Sequence, residues 1–431
     1  MTDTAEDRPA RFLWLPPGLR PRLPMTWRQE RVFLLVGITV LFAGYDMNVY
    51  GLAIPQIQAS LHIPENQVGL TVTYFRIATL AAVFLAASAD VVGRRRLLLF
   101  TIFGQGLATL ATAFAGTYAQ FVWLQIATRV FGYAEEMLCI VVIIEEVSDG
   151  ARGWATGTLT AMNFLGAGIA SLAFAAVTIL PYGWRSMYVI GAVPILLVGI
   201  LRRRMPETKR FEVRRQEIGK VASKISAGLD AIRRLATEYP RRLIAIVVFA
   251  AAWGFAIGPA TVLGSKYLQQ TLGYAPHQAV LIMLPGGLVA LALNILTGRI
   301  SDRLGRKRTV LITATLAGIC YTIFYSGLHG AAIPPIWVLA FYGFFATDAL
   351  FAGYTTEIMP TAYRATVSGL RYMVEIMMGG LSLGLEGVFY DRFGAHGPAI
   401  SIFLLTIPIA LIAVLFLPEP AGRRLEEISA A

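Results

Sequence analysis

Residues 298–307 read GRISDRLGRK, and residues 86–95 read AASADVVGRR. The two stretches share three residue types in register at a spacing of 212 positions: Asp90 with Asp302, Gly93 with Gly305, and Arg94 with Arg306. Further pairs recur at the same spacing: Glu145 with Glu357, Arg152 with Arg364, and Pro206 with Pro418. Each pair lies beside a long apolar run, so the chain is predicted to contain two copies of one unit of membrane helices.

The composition places the chain in a lipid bilayer. Of its 431 residues, 56% are hydrophobic and 15% are charged, which is more apolar surface than one soluble core can bury. The net charge of +11 is carried mostly by short segments between the apolar runs. Such segments indicate membrane topology and contact with anionic lipid headgroups, and they exclude nucleic acid as a partner.

Twelve apolar segments are long enough to span a bilayer as helices. We therefore predict an all-α integral membrane protein with two six-helix bundles related by the internal repeat. The segments cover residues 33–55, 67–89, 97–118, 121–145, 154–180, 184–201, 242–266, 276–298, 309–329, 334–356, 365–388 and 397–417.

Basic residues favour one end of the predicted helices, which places both termini in the cytoplasm by the positive-inside rule. The protein is expected to be a monomer in the inner (plasma) membrane. Apolar residues at three- and four-residue steps in the segment between the halves predict amphipathic helices on the inner membrane face. The predicted domains are an N-terminal tail (1–32), a first bundle (33–204), this linker (205–241), a second bundle (242–418) and a C-terminal tail (419–431).

The motif at residues 298–307 resembles the G-x-x-x-D-R-x-G-R-[KR] signature of the major facilitator superfamily. The stretches EIMPTAYR (residues 357–364) and MPET (residues 205–208) are similar to motifs of its sugar-porter and metabolite/proton symporter branches. The resemblance extends over residues 33–418. It implies a twelve-helix carrier that alternates access to a central site for a small molecule, with protons as the coupling ion and no cofactor or metal.

The signature residues are predicted to form a cytoplasmic gate in each half. A carboxylate at a helix end, a glycine that permits a tight turn and an arginine cluster can form charge-assisted hydrogen bonds that hold two helices in one state. The first copy departs from the signature at Ala86, Val91 and Ser148, so we expect its gate to be the weaker one. The alternative is that the arginines only set topology on anionic lipid. The predicted gate residues are Asp90, Gly93, Arg94, Glu145 and Arg152 in the first half, and Gly298, Asp302, Arg303, Gly305, Arg306, Glu357 and Arg364 in the second.

Ionisable side chains inside apolar segments are costly and tend to face a cavity or to pair with each other. Asp46 in the first predicted helix and Arg129 in the fourth lie at similar depth, and their arrangement resembles the acid–arginine pair of proton-coupled sugar porters. A buried carboxylate can exchange a proton as a nearby arginine moves, which links binding to protonation. We predict Asp46, Arg129 and Glu136 as proton-coupling residues, with a static ion pair between two helices as the alternative. Glu135 is expected to face a neighbouring helix.

Further buried polar residues are predicted to bind the substrate. Arg76 and Arg371 can hold a carboxylate, although an ion pair between Arg371 and Glu375 on one helix face is an equal alternative. Arginines dominate the upper layer of buried charge and favour an anion, whereas the overall excess of carboxylates favours protons or a cation. The charge of the substrate therefore stays open. The predicted substrate-binding residues are Arg76, Tyr50, Asn163, Asp348, Arg371, Tyr372 and Glu375.

The loops between the apolar segments carry further basic residues, and the histidines in them are expected to be solvated. Arg202 maps to a cytoplasmic loop, and Lys266 maps to an outer loop. A histidine relay is not expected, because all four histidines map to outer loops: His62, His277, His329 and His396.

These features predict a secondary active transporter, namely a proton-coupled symporter of a small polar metabolite, with an organic acid as the favoured substrate. The alternative is an efflux antiporter that exchanges protons for a drug or organic cation, which the acidic excess and the aromatic content favour. A transporter-like nutrient sensor is a further alternative. The sequence has no metal-spaced histidine pair, glycine-flanked serine nucleophile or phosphate loop, so an enzyme is not expected.

Overall fold

The computed structural model describes residues 9–10, 12–15, 20–21, 24–89, 93–147, 151–203, 232–360 and 363–420. Within these ranges the chain is helical, and the one β-bridge joins Pro9 to Thr26. Asp90, the side chain of Arg152, most of the predicted linker and residues 421–431 lie outside the described part. The amphipathic helices predicted for the linker therefore stay a prediction.

The first half of the chain forms six long helices on the predicted apolar segments. Thr117 begins the fourth of them as an N-cap, because its side chain accepts a hydrogen bond from the backbone nitrogen of Gln120. Helices suit a bilayer because each closes its own backbone hydrogen bonds. They are α1 (Trp27–Leu61), α2 (Glu65–Ala87), α3 (Arg94–Thr112), α4 (Tyr118–Glu146), α5 (Arg152–Ala175) and α6 (Trp184–Arg202).

The second half repeats this order. Its first helix contains Pro259, ends at Val262 and continues as a short helix (Gly264–Lys266) and a π-helical turn (Tyr267–Thr271). The last helix has two segments. Together with the first half, the described residues contain the twelve helical segments that the sequence predicts. The helices are α7 (Pro240–Val262), α8 (Pro276–Leu304), α9 (Arg306–Tyr325), α10 (Ile333–Glu357), α11 (Arg364–Phe393), α12a (His396–Leu404) and α12b (Ile407–Leu415).

Ten helical segments of the described part are long and apolar enough to cross a membrane by length and composition. α3 and α4 are not among them: α3 begins with three arginines, and α4 carries Arg129, Glu135 and Glu136 within its apolar run. α3 and α4 pack extensively against each other. Gln105 of α3 and Gln125 and Arg129 of α4 are buried inside the protein, away from lipid. The polar residues that lower the hydropathy of these helices are therefore the ones from which a site can be built.

A break in α1 marks a boundary between two compact units. Ala53 has non-helical backbone angles two residues before Pro55, whose ring removes a backbone hydrogen bond. One unit comprises residues 1–52 and 78–221, and the other comprises residues 53–77 and 222–431. The last part of α1 and the first part of α2 (residues 53–77) thus belong to the second unit, and we call them the α1–α2 hairpin.

In each half, the first helix crosses the fifth at a glycine. A Cβ on Gly44 of α1 would collide with the backbone of Asn163 on α5. A Cβ on Gly254 of α7 would likewise collide with the backbone of Glu375 on α11. Asn163 and Glu375 are 212 positions apart, so both halves place the same position of the repeat at this crossing.

Two ends of the helices are distinguished by their connections. In each unit, the basic end of the helices carries a turn of basic residues, at 94–96 where α2 meets α3 and at 306–308 where α8 meets α9. The far end carries the α1–α2 hairpin and the connection between α7 and α8.

Candidate functional site

Asp46 lies on α1 and is 1% exposed. Its Oδ1 accepts a hydrogen bond from the Thr109 hydroxyl of α3 at 3.4 Å, while its Oδ2 has no hydrogen-bond partner among the described residues. Arg129 of α4 is also buried, and its charge acts on Asp46. Arg129 donates a hydrogen bond to the Met47 carbonyl at 3.4 Å, which ties α4 to α1. The structure therefore brings together the two residues that the sequence predicts as the core of the proton-coupling site.

Uncharged polar side chains surround this pair, and charge-based reasoning on the sequence misses them. Gln125 of α4 donates to the Thr112 hydroxyl at 3.2 Å. Both amide atoms of Gln105, and the hydroxyl of Tyr188 on α6, lack hydrogen-bond partners within the described part of the chain. Buried groups of this kind are normally satisfied by water or by a ligand. The available signal was the helical spacing of Gln105, Thr109 and Thr112 on α3.

Glu136 and Asn163 form a second contact within the first half. The Asn163 amide donates to Glu136 Oε1 at 3.5 Å, which connects α4 to α5. The positions 212 residues later hold Asp348 on α10 and Glu375 on α11. The pair Glu136 and Asn163 and the pair Asp348 and Glu375 thus occupy equivalent positions of the repeat, although the residue types differ.

In the second half, Arg371 bridges this pair. Its Nη1 donates to Asp348 Oδ1 at 3.0 Å and to Glu375 Oε2 at 2.6 Å. The Arg371 side chain is 7% exposed, Glu375 is 16% exposed and Asp348 is 35% exposed. The ion pair between Arg371 and Glu375, which the sequence left as an alternative, is present, and it extends to α10.

Asp348 and Glu375 also lie within hydrogen-bonding reach of each other. Two carboxylates can share a hydrogen bond only when one of them carries a proton. With one shared proton, Asp348 and Glu375 together carry one negative charge, which balances one arginine rather than two. Arg76 also acts on Glu375 electrostatically, so the four groups would carry one net positive charge if Asp348 and Glu375 share a proton.

Arg76 reaches α11 from the α1–α2 hairpin. Its Nη1 donates to the Ile376 carbonyl at 3.1 Å. A Cβ on Gly379 would collide with the guanidinium, and a Cβ on Gly380 would lie 3.3 Å from the Arg76 Cδ. Two successive glycines therefore make the space in which Arg76 lies beside Glu375.

The two predicted tyrosines lie in different surroundings. Tyr50 is buried on α1, with its ring centroid 5.8 Å from that of Phe121. Tyr372 of α11 is 52% exposed. The contribution of both to substrate binding stays a prediction.

The gate residues of the first half lie at the basic end. Gly93 has a φ of 100° at the turn before α3, a conformation that favours glycine. Arg94 forms an ion pair with Glu145 at the end of α4. Their side chains are 7% and 11% exposed, so this ion pair is largely buried.

The gate residues of the second half form a larger network. Gly305 has a φ of 104°, close to that of Gly93. Arg306 binds Glu357 at 3.0 Å and Asp302 at 2.7 Å. Glu419 accepts hydrogen bonds from the backbone nitrogens of Arg306 at 2.8 Å and of residue 307 at 3.1 Å, and so caps α9. The sequence analysis did not single out Glu419.

Three further predicted gate residues, all within the described part of the chain, do not join these networks. Arg364 donates to the Met359 carbonyl at 3.2 Å. Arg303 is exposed, and a Cβ on Gly298 would meet no atom within 4 Å. The roles predicted for these residues, and for Asp90 and Arg152 outside the described part, stay predictions.

Arg202 corrects one expectation from the sequence. It was assigned to a cytoplasmic loop, but it lies in the last turn of α6 and is 1% exposed. Arg202 forms an ion pair with Glu135 of α4, which is fully buried and also accepts from the Thr101 hydroxyl. Glu135 faces neighbouring helices, as predicted. The assignment of Arg202 was wrong because a buried partner, invisible in hydropathy, offsets the cost of burying the charge.

His396 and Lys266 correct a second expectation, since both were assigned to outer loops and His396 was expected to be solvated. His396 is 5% exposed, and its Nδ1 lies 2.8 Å from Glu386 Oε1 of α11. Lys266 is fully buried and forms an ion pair with Glu65 of α2 at 2.5 Å. The helices extend past the apolar runs at the far end, so residues beyond the hydropathy maximum are packed between helix ends.

The chain is similar to known proteins in sequence and in fold. The model of the family described as Major Facilitator Superfamily matches residues 36–383. The chain is 25% identical over 403 residues to a gallate transporter of Pseudomonas putida, with 84% of this chain and 88% of the relative covered. It is 23% identical over 420 residues to the sialic acid transporter NanX of Escherichia coli (strain K12), with 94% and 97% covered. The crystal structure of a D-xylose-proton symporter has the same fold, with a TM-score of 0.72 at 17% identity over 91% of this chain and 98% of that chain.

Proposed function

Since the chain belongs to the Major Facilitator Superfamily and is therefore a multi-pass membrane transporter of small molecules, we propose that it is a proton-coupled symporter of an organic acid. Two relatives are named for gallate and for sialic acid, and the xylose protein is named as a proton symporter. Symport requires substrate and proton to favour the same conformational states. We propose protons as the only coupling ion, and we propose no cofactor.

The basic end is placed in the cytoplasm and the far end outside. The turns that carry Arg94 and Arg306 belong to the basic end, and an excess of arginine marks cytoplasmic loops. This orientation also places both termini in the cytoplasm. We place the protein in the inner (plasma) membrane as a monomer.

The burial of Asp46 carries the proposal of proton coupling. A carboxylate that is 1% exposed, with one oxygen unpaired within the described residues, is costly to keep charged. Arg129 supplies a compensating charge when it is close, and a proton supplies it when Arg129 moves away. Glu136 lies on the same helix as Arg129 and is the second candidate for a proton carrier.

The charge count of four groups in the second unit supports an organic acid as the substrate. Arg76, Arg371, Asp348 and Glu375 carry one net positive charge when the two carboxylates share a proton. A substrate carboxylate neutralises that charge, and an arginine offers it a planar pair of donors. Loss of the shared proton removes the net charge and weakens the binding of an anion. Substrate and proton would thus bind together, as symport requires.

Ligand screening followed by flux measurement tests the proposal. Purified protein is screened by thermal shift against acids, sugars and organic cations, because a ligand of the folded state raises its melting temperature. The ligand found is then offered to proteoliposomes under an imposed pH gradient. Symport predicts accumulation of an acid on the alkaline side. Stabilisation by cations alone, or accumulation on the acidic side, would contradict it.

A proton-driven antiporter of organic cations is the second candidate function. The partial exposure of Asp348 favours it, because a carboxylate that is 35% exposed can meet a cation directly. In cells, an uncoupler lowers the internal substrate concentration of a symporter and raises that of an efflux antiporter. The two functions therefore predict opposite changes in one assay.

A further inference from the structure

A buried cluster at the far end of the second unit is not part of the proposed transport site. Lys266 donates its Nζ to Glu65 Oε2 at 2.5 Å and to Gln58 Oε1 at 2.6 Å. The His396 ring places Nδ1 2.8 Å from Glu386 Oε1 and Nε2 3.4 Å from Glu65 Oε2. Lys266 and Glu386 are fully buried. We call Glu65, Lys266, Glu386 and His396 the far-end cluster.

The carboxylates around His396 favour a proton on each ring nitrogen. A neutral imidazole has one donor and one acceptor. Here Nδ1 lies at hydrogen-bonding distance from Glu386, whereas Nε2 has no hydrogen-bond partner among the described residues and lies 3.4 Å from an oxygen of Glu65, which only accepts. With both nitrogens protonated, two cations balance two carboxylates. Without the second proton, Glu65 and Glu386 outweigh Lys266 by one negative charge. Glu65 is 32% exposed but Glu386 is fully buried, so this excess charge is unfavourable.

The other groups around His396 do not change this count. The Tyr390 ring centroid lies 4.4 Å from that of the imidazole, and Tyr267 and Tyr325 lie against Gly397. Tyrosine phenols are uncharged at physiological pH. Asp391, the next carboxylate of α11, is bound to Asn66 at the exposed rim. Nowhere in the described residues are three or more His, Cys, Asp or Glu side chains grouped to hold a metal ion.

The far-end cluster joins the α1–α2 hairpin to the second half. Glu65 comes from the hairpin, whereas Lys266, Glu386 and His396 come from residues after α6. Below it, α2 and α11 pack so closely that a Cβ on Gly69 would collide with the Leu383 carbonyl. We call this contact the α2–α11 seam. The hairpin continues into the first half, so a carrier that opens its far end must separate the seam.

We infer that the far-end cluster is a second proton-binding site, which latches the α2–α11 seam. When the hairpin moves away, Glu65 leaves, and Lys266 and Glu386 balance each other. His396 then needs only one ring proton. Closing the far end therefore takes up a proton and opening releases it, so acid on that side favours the closed state. The inference goes beyond the proposed symport and does not depend on Asp46.

Alkylation of a thiol in the seam measures whether the far end is open. The Thr73 hydroxyl of α2 donates to the Gly380 carbonyl across the seam at 2.7 Å, so Thr73→Cys reports its separation. The native Cys139 and Cys320 are buried and are replaced by alanine. A membrane-impermeant maleimide is applied to the full-length, substrate-free protein in nanodiscs between about pH 5 and about pH 8, where histidine titrates. Rates are divided by those of an exposed thiol, Ala331→Cys, which removes the intrinsic pH dependence of the reaction.

Two substitutions in the far-end cluster are expected to shift this rate in opposite directions. In the parent protein the normalised rate falls severalfold from the alkaline to the acidic end of the range. Glu386→Gln removes one negative charge, so the cluster is balanced without the second proton and alkylation is slow at every pH. His396→Gln leaves an uncompensated carboxylate, so alkylation is fast at every pH. The exposed histidine variant His329→Gln keeps the parent profile.

Several results would overturn the latch. They are a pH dependence that survives in His396→Gln, a shift of both variants in the same direction, or a parent rate that does not change with pH. Opposite shifts cannot arise from a general loss of folding. The alkylation assay uses the substrate-free protein and requires no transport, so failure of the proposed symport and failure of the latch are distinguishable.

Discussion

The two halves of this transporter keep the same backbone positions and fill them with different chemistry. Thr101 and Glu135 of the first half correspond to Thr313 and Thr347 of the second, 212 positions later. In the first half the threonine binds a glutamate that is paired with a buried arginine. In the second half two hydroxyls bind each other at 2.8 Å, and Val414 stands at the position of Arg202.

The gates also differ in how deeply their ion pairs are buried, and again the pair of the first half is the more buried one. Both turn on a glycine with φ near 100°, and both join an arginine to a glutamate at the end of the fourth helix of the half. In the first half the partners are 7% and 11% exposed, whereas in the second they are 23% and 31% exposed. At these two sites the first half therefore depends on buried ion pairs, whereas the second half has a neutral hydrogen bond at one and a partly solvated network at the other. The difference teaches that the repeat conserves geometry and leaves the electrostatics free to diverge.

The largest expected effect is the loss of Glu135. Glu135→Gln leaves the buried Arg202 without its counter-charge, so the free energy of unfolding should fall by about 3–5 kcal/mol. Thr347→Val at the equivalent position removes one neutral hydrogen bond and should cost only about 1 kcal/mol. Denaturation of both variants in detergent gives the comparison.

A double substitution sharpens this test. Glu135→Thr combined with Arg202→Val copies the chemistry of the second half and should recover most of the lost stability, because a buried ion pair can be replaced by apolar packing. If the double variant were as unstable as the single one, the buried ion pair would have a role beyond charge balance.

A smaller effect is expected at the gates. Glu145→Gln should lower the free energy of unfolding by about 2 kcal/mol, because the pair with Arg94 is buried. Glu357→Gln should cost under about 1 kcal/mol, since its pair with Arg306 is partly solvated and Asp302 remains. Equal losses in the same denaturation assay would show that burial does not distinguish the two gates.

The smallest expected effect is on substrate affinity. Glu375→Asn copies Asn163 of the first half and leaves Arg371 with Asp348 alone. The net positive charge then no longer depends on a shared proton, so the affinity for an acid should stay constant as pH rises. In the wild type it should weaken by about tenfold, the effect of one partly screened charge. Calorimetric titration across pH checks this, and a variant that still follows the wild-type profile would locate the titrating group elsewhere.

Charges within apolar segments made much of the candidate site predictable. Asp46, Arg129, Glu136 and Asp348 stand out because a charge in a membrane helix must have a reason. Gln105, Gln125 and Thr109 do not stand out, because glutamine and threonine are common in helix bundles. Their burial in the interior of the first half became apparent only in the structure.

Tertiary partners explain what the sequence could not predict. Glu386 and Glu65 stabilise His396 and Lys266 in buried positions, yet hydropathy assigns both basic residues to loops. Glu419 caps α9 from more than a hundred residues away. The equivalence of Glu136 with Asp348 and of Asn163 with Glu375 was present at the spacing of 212, but only identical residue types reveal a repeat readily.

Proton coupling at Asp46 is the central claim, and the transport of Asp46→Asn tests it most directly. In proteoliposomes, the variant should lose uphill accumulation of substrate under an imposed pH gradient. It should retain energy-independent exchange, because exchange needs the substrate site without net proton movement. Glu238→Gln, which removes an exposed carboxylate at the basic end, is the matched control. It should retain both uphill accumulation and energy-independent exchange. If Asp46→Asn still concentrated substrate in response to the pH gradient, Asp46 would not be the coupling residue.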